Sequence, residues 1–161
     1  MQGRSGFGSR AVRFLTELAA NNDKRWFEAN RARYEADVRE PARAFIRAVA
    51  ERLDEVSPHL VADDRKIGGS LMRPHRDVRF SKDKSPYKTN LGIQLRHREG
   101  KDVHAPGVYL HLAPDRCFPG VGLWRPEPKA LAAIRDAIAR DPARWRAIAT
   151  ARPLTQTWHM E

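Results

Sequence analysis

The period of the apolar residues changes twice along this chain, and this limits the fold more than any other feature. Residues 9–56 place apolar side chains at every third or fourth position, as amphipathic helices do, with interruptions at Asn21-Asn22 and Pro41. The segments 76–81, 91–96, 108–112 and 117–124 have the alternation or composition of half-buried strands. Between residues 129 and 149 the helical period returns.

Helices before and after a run of strands indicate an α+β fold. Short links between successive strands favour an antiparallel sheet of about four strands, with the N-terminal and C-terminal helices packed mainly on one face. We expect one domain over residues 1–161. Residues 1–8 are polar and glycine-rich, so we expect them to be disordered, and residues 151–161 form a tail without an assigned element.

Composition limits the compartment and the partners. No apolar run approaches the roughly 18 to 20 residues that a membrane span needs, and the N-terminus lacks the apolar segment of a secretion signal. Cys117 is the only cysteine, which fits a reducing compartment. We therefore expect a cytoplasmic protein that binds no membrane, and its oligomeric state stays open. The formal net charge of +10 favours anionic partners.

The stretch 76–90 is the main indication of a binding site, because charged and hydroxyl side chains are dense there. If its first half forms a strand, Val78 and Phe80 face the core. The side chains on the opposite face would then be Asp77, Arg79 and Ser81. Ser85-Pro86 predicts a turn after this strand. Arginine binds oxyanions bidentately and lysine binds them as a point charge, and the stretch offers both.

The first functional hypothesis is therefore an oxyanion-binding site for phosphate-bearing ligands. Its predicted ligand-binding residues are Arg76, Arg79, Ser81, Lys82, Lys84, Tyr87 and Lys88. Among them Arg79 is the strongest candidate, since core packing of its two neighbours would fix its guanidinium. If the site is catalytic, the candidates are Asp77 as base, Ser81 as nucleophile, and Lys84 or Arg79 as oxyanion stabiliser. No nucleotide-binding or hydrolase motif indicates a reaction, so enzyme activity stays open.

No cofactor or metal is predicted. His97, His104 and His111 recur every seven residues, but this spacing fits no zinc ligand pair and the three fall in different elements. Two alternatives to the first hypothesis stay open. A nucleic-acid-binding protein would use the overall positive charge, with Trp26 or Tyr87 stacking on bases. A structural or partner-binding module would expose a large apolar patch.

Several blocks of the sequence carry a family resemblance. They are residues 14–15, 21–31, 76–88, 109–112 and 122–128. In this order they resemble an uncharacterised family of bacterial and fungal proteins, domain of unknown function 2461 (DUF2461), over residues 7–148. The resemblance implies no activity, ligand or catalytic residue beyond the expectation that these blocks matter. The family continues past the last helix, whereas residues 151–161 do not follow its pattern, so we expect a truncated or divergent member.

Overall fold

A computed structural model describes residues 8–100 and 106–158. The first group of helices is α1 (Ser9–Ala20), α2 (Lys24–Ala29), α3 (Arg31–Tyr34), a π-helical turn (Glu35–Arg39), α4 (Glu40–Ala50) and α5 (Leu53–Val56). The strands are β1 (Leu60–Val61), β2 (Leu91–His97), β3 (Gly107–Leu112) and β4 (Cys117–Gly122). The last helices are α6 (Pro128–Arg140), α7 (Pro142–Ala149) and α8 (Arg152–Thr157). Except for Gly8, the start predicted to be disordered lies outside the described residues.

The chain divides into two compact units, Met1–Trp124 and Arg125–Glu161. The first contains the helices α1 to α5 and the sheet, and the second contains α6, α7 and α8. The helices at both ends and the four-stranded sheet confirm the α+β class. That the C-terminal helices share a face of the sheet, and that residues 1–161 form one domain, stay predictions.

The sheet is antiparallel throughout, in the order β1-β2-β3-β4. Leu91 pairs with Leu112 and Ile93 pairs with Leu110, so these side chains share one face. That face is buried: Leu91, Ile93 and Leu112 are all part of the core. The opposite face carries the intervening positions, among them Gly92, Tyr109 and His111.

The core of the first unit lies between the N-terminal helices and the buried face of the sheet. Aromatic rings dominate it: the ring centroids of Phe14 and Tyr34 are 5.8 Å apart, and those of Phe27 and Tyr34 are 5.2 Å apart. Val38 and Ile46 continue this apolar surface along the helices and are 1% and 0% exposed. Burying one such side chain contributes about 1.5 to 3 kcal/mol. The apolar side chains at helical spacing therefore build the core of the first unit.

The helix break expected near Pro41 takes the form of a π-helical turn. Proline has no N–H and its ring clashes with the carbonyl four residues earlier in a regular α-helix. Here the turn Glu35–Arg39 widens directly before it, and the Glu40 N–H donates to the Glu35 carbonyl, five residues back. The chain therefore remains helical through Pro41 into α4.

The prediction of a strand at residues 76–81 is wrong. This segment is irregular, Phe80 is 96% exposed instead of facing the core, and the remaining edge strand is Leu60–Val61. Residues 66–67 lie in a turn. Asp side chains explain the difference, because they bond to nearby backbone and compete with a strand ladder. The Asp77 carboxylate accepts from the Arg79 N–H at 3.3 Å.

Candidate functional site

The stretch 73–88 is a long loop with a paired base. The Arg76 N–H donates to the Pro86 carbonyl at 2.9 Å, and the Lys88 N–H donates to the Pro74 carbonyl at 2.7 Å. Between these bonds lies an isolated antiparallel bridge between His75 and Tyr87. Beyond the base, residues 77–85 form what we call the tip loop. The base fixes the backbone of Lys88, whereas the tip loop extends away from it.

Asn22 fastens the base of this loop to the helices. Its side-chain Nδ2 donates to the Tyr87 carbonyl at 2.9 Å, and its Oδ1 accepts from the Tyr87 N–H at 3.0 Å. The Tyr87 ring stacks on Phe27 with centroids 4.0 Å apart and is 3% exposed. Asn22 lies just after α1, so the turn between the first two helices and the core together determine where Lys88 lies. The sequence indicated a helix break at Asn21-Asn22, but nothing in it indicated the contact between Asn22 and Tyr87.

Two predicted ligand residues of the tip-loop region pair with carboxylates of the same loop. The Arg79 guanidinium donates to both oxygens of Asp77, at 2.9 and 2.6 Å. Arg76 donates to Asp83 and, at 2.7 Å, to the Ser85 hydroxyl. The guanidinium of Arg79 is not fixed by packing on both sides, since its side chain is 76% exposed. The two arginines therefore organise the loop.

The predicted catalytic roles receive little help from this geometry. The hydrogen bonds from Arg79 lower the pKa of Asp77 to about 2, so this carboxylate is a weak base at neutral pH. The Lys84 ammonium donates to the Val78 carbonyl at 3.0 Å. Within the part of the chain that the structure describes, no base lies within hydrogen-bond distance of the Ser81 hydroxyl.

The pKa of Asp83 is lowered to about 2 as well. The Ser85 hydroxyl and the Ser85 N–H, both donating to this carboxylate, contribute most, and Arg76 adds to them. Its charge is therefore held inside the loop. Lys82, at the tip, is exposed and forms no ion pair with any described residue.

Arg73 and Lys88, which we call the cation pair, differ from the arginines of the tip-loop region. Lys88 is half-buried, and its pKa is lowered by burial and by the neighbouring positive charge of Arg73. Neither forms an ion pair with a carboxylate anywhere in residues 8–100 and 106–158. The charge of Arg73 also acts on Asp77, but that carboxylate is bound by Arg79. An anion would stabilise two cations that lack an ion-pair partner of their own.

Arg73 also lines a cleft of about 450 Å³ between the helices and the segment that precedes the tip loop. The cleft residues are Phe27, Arg31, Tyr34, Glu35, Arg39, Lys66, Ile67, Gly68, Gly69, Leu71, Met72, Arg73, Pro74 and His75. Two of its arginines are neutralised: Arg31 pairs with Glu28 at 2.6 Å, and Arg39 pairs with Glu35 at 2.7 Å. Lys66 and Arg73 add positive charge at the same opening, so an anion would enter a positive field.

A second polar group lies on the face of the sheet away from the core. We call Asn90, Tyr109 and His111 the Tyr109 cluster. The Tyr109 hydroxyl is 3.1 Å from Nδ1 of His111, and the Asn90 amide nitrogen is 3.4 Å from the same hydroxyl. The imidazole stacks on Phe118 with centroids 4.9 Å apart. Burial, followed by the charge of Arg116, lowers the pKa of His111 and so favours the neutral ring.

Gly92 makes room for Tyr109. A Cβ at this position would lie 3.0 Å from the Tyr109 hydroxyl and 3.0 Å from Sδ of Met72. Tyr109 and His111 alternate with apolar residues along β3 and so share one face, but nothing in their spacing indicates Asn90. The register of β2 with β3 brings the three together.

Metal and membrane sites gain no support from the described residues. No three His, Cys, Asp or Glu side chains among them group as a metal ion would require. His104 falls outside the described residues, and His97 and His111 lie on separate strands. No described helix is both long and apolar enough to cross a bilayer.

Comparison with known proteins identifies one relationship. The model of a family described as "Conserved hypothetical protein (DUF2461)" matches residues 10–161. The match includes the tail 151–161, so the expectation that these residues do not follow the family pattern is wrong. No curated protein and no solved structure was similar enough to match.

Proposed function

The chain belongs to the DUF2461 family, and we propose that it binds an oxyanion, with phosphate-bearing ligands as the class, at Arg73 and Lys88. One observation carries the proposal: the half-buried ammonium of Lys88 lies within the field of the positive charge of Arg73, and no described carboxylate forms an ion pair with either. Burying a charge without a partner lowers stability, and burying it beside a like charge lowers it further. A bound phosphate would offset both effects.

The predicted basic ligand residues take three different roles in this proposal. Lys88 binds the anion directly, together with Arg73, which the sequence did not single out. Arg76 and Arg79 shape the tip loop through their carboxylate partners. Lys82 and Lys84 add positive charge outside the base of the loop. We assign no reaction to this site.

The proposal is tested by a Lys88→Met variant, which keeps the length of the side chain and removes its charge. We expect inorganic phosphate and pyrophosphate to bind the wild type, and we expect the variant to lose about 1.5 to 3 kcal/mol of binding free energy, typical of a charge-assisted hydrogen bond. Isothermal titration calorimetry at fixed ionic strength measures this. Lys24→Met, at an exposed position of α2, is the matched control and should bind like the wild type.

Stability gives an independent measurement on the same variants. Because the half-buried ammonium is unfavourable without an anion, Lys88→Met should raise the free energy of unfolding by about 0.5 kcal/mol or more in phosphate-free buffer. A Lys88→Met protein that binds phosphate like the wild type would contradict the proposal. A loss of stability would instead mean that Lys88 has a structural partner.

Nucleic-acid binding is the second candidate, and Phe80 favours it. The ring is 96% exposed at the tip of a basic loop, and the Arg79 guanidinium carbon lies 5.9 Å from its centroid. Exposed aromatic rings beside cations stack on bases of single strands. Tyr87 cannot take this role because its ring is in the core, and Trp26 is half-buried against Phe14. Phe80→Ala should then weaken oligonucleotide binding, and log K should fall by about 0.7 per phosphate contact with log salt.

A further inference from the structure

We propose that the Tyr109 cluster recognises hydroxyl groups of the ligand whose phosphate lies at the cation pair, so that the ligand is a hydroxylated phosphate ester such as a sugar phosphate. This inference rests on the phosphate site proposed above. It adds a second contact region, on the sheet, and it narrows the ligand from any oxyanion to one chemical class.

The position of the Tyr109 hydroxyl is determined by three neighbours on two strands. His111 Nδ1 lies 3.1 Å away, the Asn90 amide nitrogen lies 3.4 Å away, and the absent side chain of Gly92 leaves the space that the phenol ring occupies. The Phe118 ring fixes the plane of the imidazole by stacking at 16°. A hydroxyl held in this way binds a ligand with little entropy left to lose.

The chemistry of the cluster fits a hydroxyl better than a second anion. A phenol, an amide and a neutral imidazole each offer both a donor and an acceptor, as an alcohol does. Burial lowers the pKa of His111 and favours its neutral form, so the cluster favours a neutral ligand group over an anion. With Nδ1 accepting from Tyr109 or Asn90, the imidazole proton lies on Nε2, for which the described residues provide no partner. A ligand oxygen would complete that hydrogen bond.

The two regions are adjacent along the chain. Lys88 and Asn90 are separated by a single residue, so their Cα atoms are at most about 7 Å apart. The Lys88 N–H is held by the Pro74 carbonyl, and the side chain of Asn90 reaches the Tyr109 hydroxyl. The base of the loop therefore passes directly into the start of β2, where the cluster begins. In this proposal, a phosphate and a hydroxyl of the same molecule contact the two regions.

The test compares two probes on the wild type and on Tyr109→Phe, which keeps the ring and removes only the hydroxyl. We expect ribose 5-phosphate to bind the wild type about tenfold more tightly than inorganic phosphate, as two neutral hydrogen bonds would give. In Tyr109→Phe the two probes should bind within twofold of one another, and the dissociation constant of inorganic phosphate should not change. Nuclear magnetic resonance should show the His111 ring shifting with ribose 5-phosphate only.

A second pair of variants keeps the test decisive if Tyr109→Phe does not fold. His111→Gln should reduce the preference for ribose 5-phosphate, whereas His97→Gln, on the same sheet but stacked on His59, should not. If AMP binds more tightly than ribose 5-phosphate, the ligand is a nucleotide. If AMP binds more weakly than ribose 5-phosphate, the ligand is a free sugar phosphate.

Different results would overturn the hydroxyl contact and the phosphate site. Equal affinity of the wild type for the two probes, or a loss of inorganic phosphate binding in Tyr109→Phe, would overturn the hydroxyl contact and leave the cation pair in place. Binding of neither probe would overturn both.

Discussion

Replacing Asn22 by alanine should detach the base of the loop from the helices. The variant removes two hydrogen bonds, of 2.9 and 3.0 Å, to the backbone of Tyr87. Each bond contributes about 1 kcal/mol, and a buried group that loses its partner adds a desolvation penalty of about 1 to 3 kcal/mol. Asn22 is half-buried, so water replaces part of this loss. We expect the free energy of unfolding to fall by about 2 to 4 kcal/mol, a large part of the stability of an ordinary domain.

Urea denaturation followed by tryptophan fluorescence measures this loss, and hydrogen exchange of the Tyr87 amide shows where it arises. Asn21→Ala is the control, because the Asn21 amide donates only to the exposed end of α1, at the Glu17 carbonyl. Its substitution should lower the free energy of unfolding by about 1 kcal/mol or less. Asn22→Asp keeps the acceptor for the Tyr87 N–H but loses the donor. Its loss of unfolding free energy should therefore lie between those of Asn21→Ala and Asn22→Ala.

Asn22→Ala should also lower the affinity for phosphate, because Lys88 follows Tyr87 directly. Unchanged protection of the Tyr87 amide, with less than about 1 kcal/mol of destabilisation, would refute this role of Asn22. The stacking of Tyr87 on Phe27 would then be sufficient to hold the loop.

Three further variants test separate parts of the structure. Arg79→Lys should change neither the urea midpoint nor phosphate affinity, since Arg79 is exposed and bound within its own loop; a clear loss of affinity would return it to the ligand site. Gly92→Ala should cost about 1 to 3 kcal/mol by forcing Tyr109 and Met72 away, and denaturation that matches the wild type would contradict this. His111 has a lowered pKa in the folded protein, so its contribution is present above its ordinary value of 6.5 and is lost as pH falls through the folded value. Wild type should therefore lose more stability than His111→Gln between about pH 7 and pH 5.5, and parallel curves would exclude the effect.

The sequence by itself determined the α+β class and the location of three strands. Leu91, Ile93 and Leu112 are buried, and the period-two spacing of the apolar residues in these segments predicted strands that the structure contains. The helical period of residues 9–56 was equally informative, because the same side chains that define it form the core. Both signals succeed where the apolar side chains of an element are the ones that become buried.

Tertiary structure decided the edge strand and the composition of the candidate site. Residues 76–81 also alternate, but there the charges pair within the loop, as Arg79 does with Asp77, and the strand does not form. Arg79 and Lys88 look alike as cations in sequence. What separates them is whether a carboxylate lies nearby, and for Lys88 that depends on Asn22 and on the core beneath Tyr87. The charge of a residue follows from its type, whereas whether that charge is paired depends on which side chains the fold places around it.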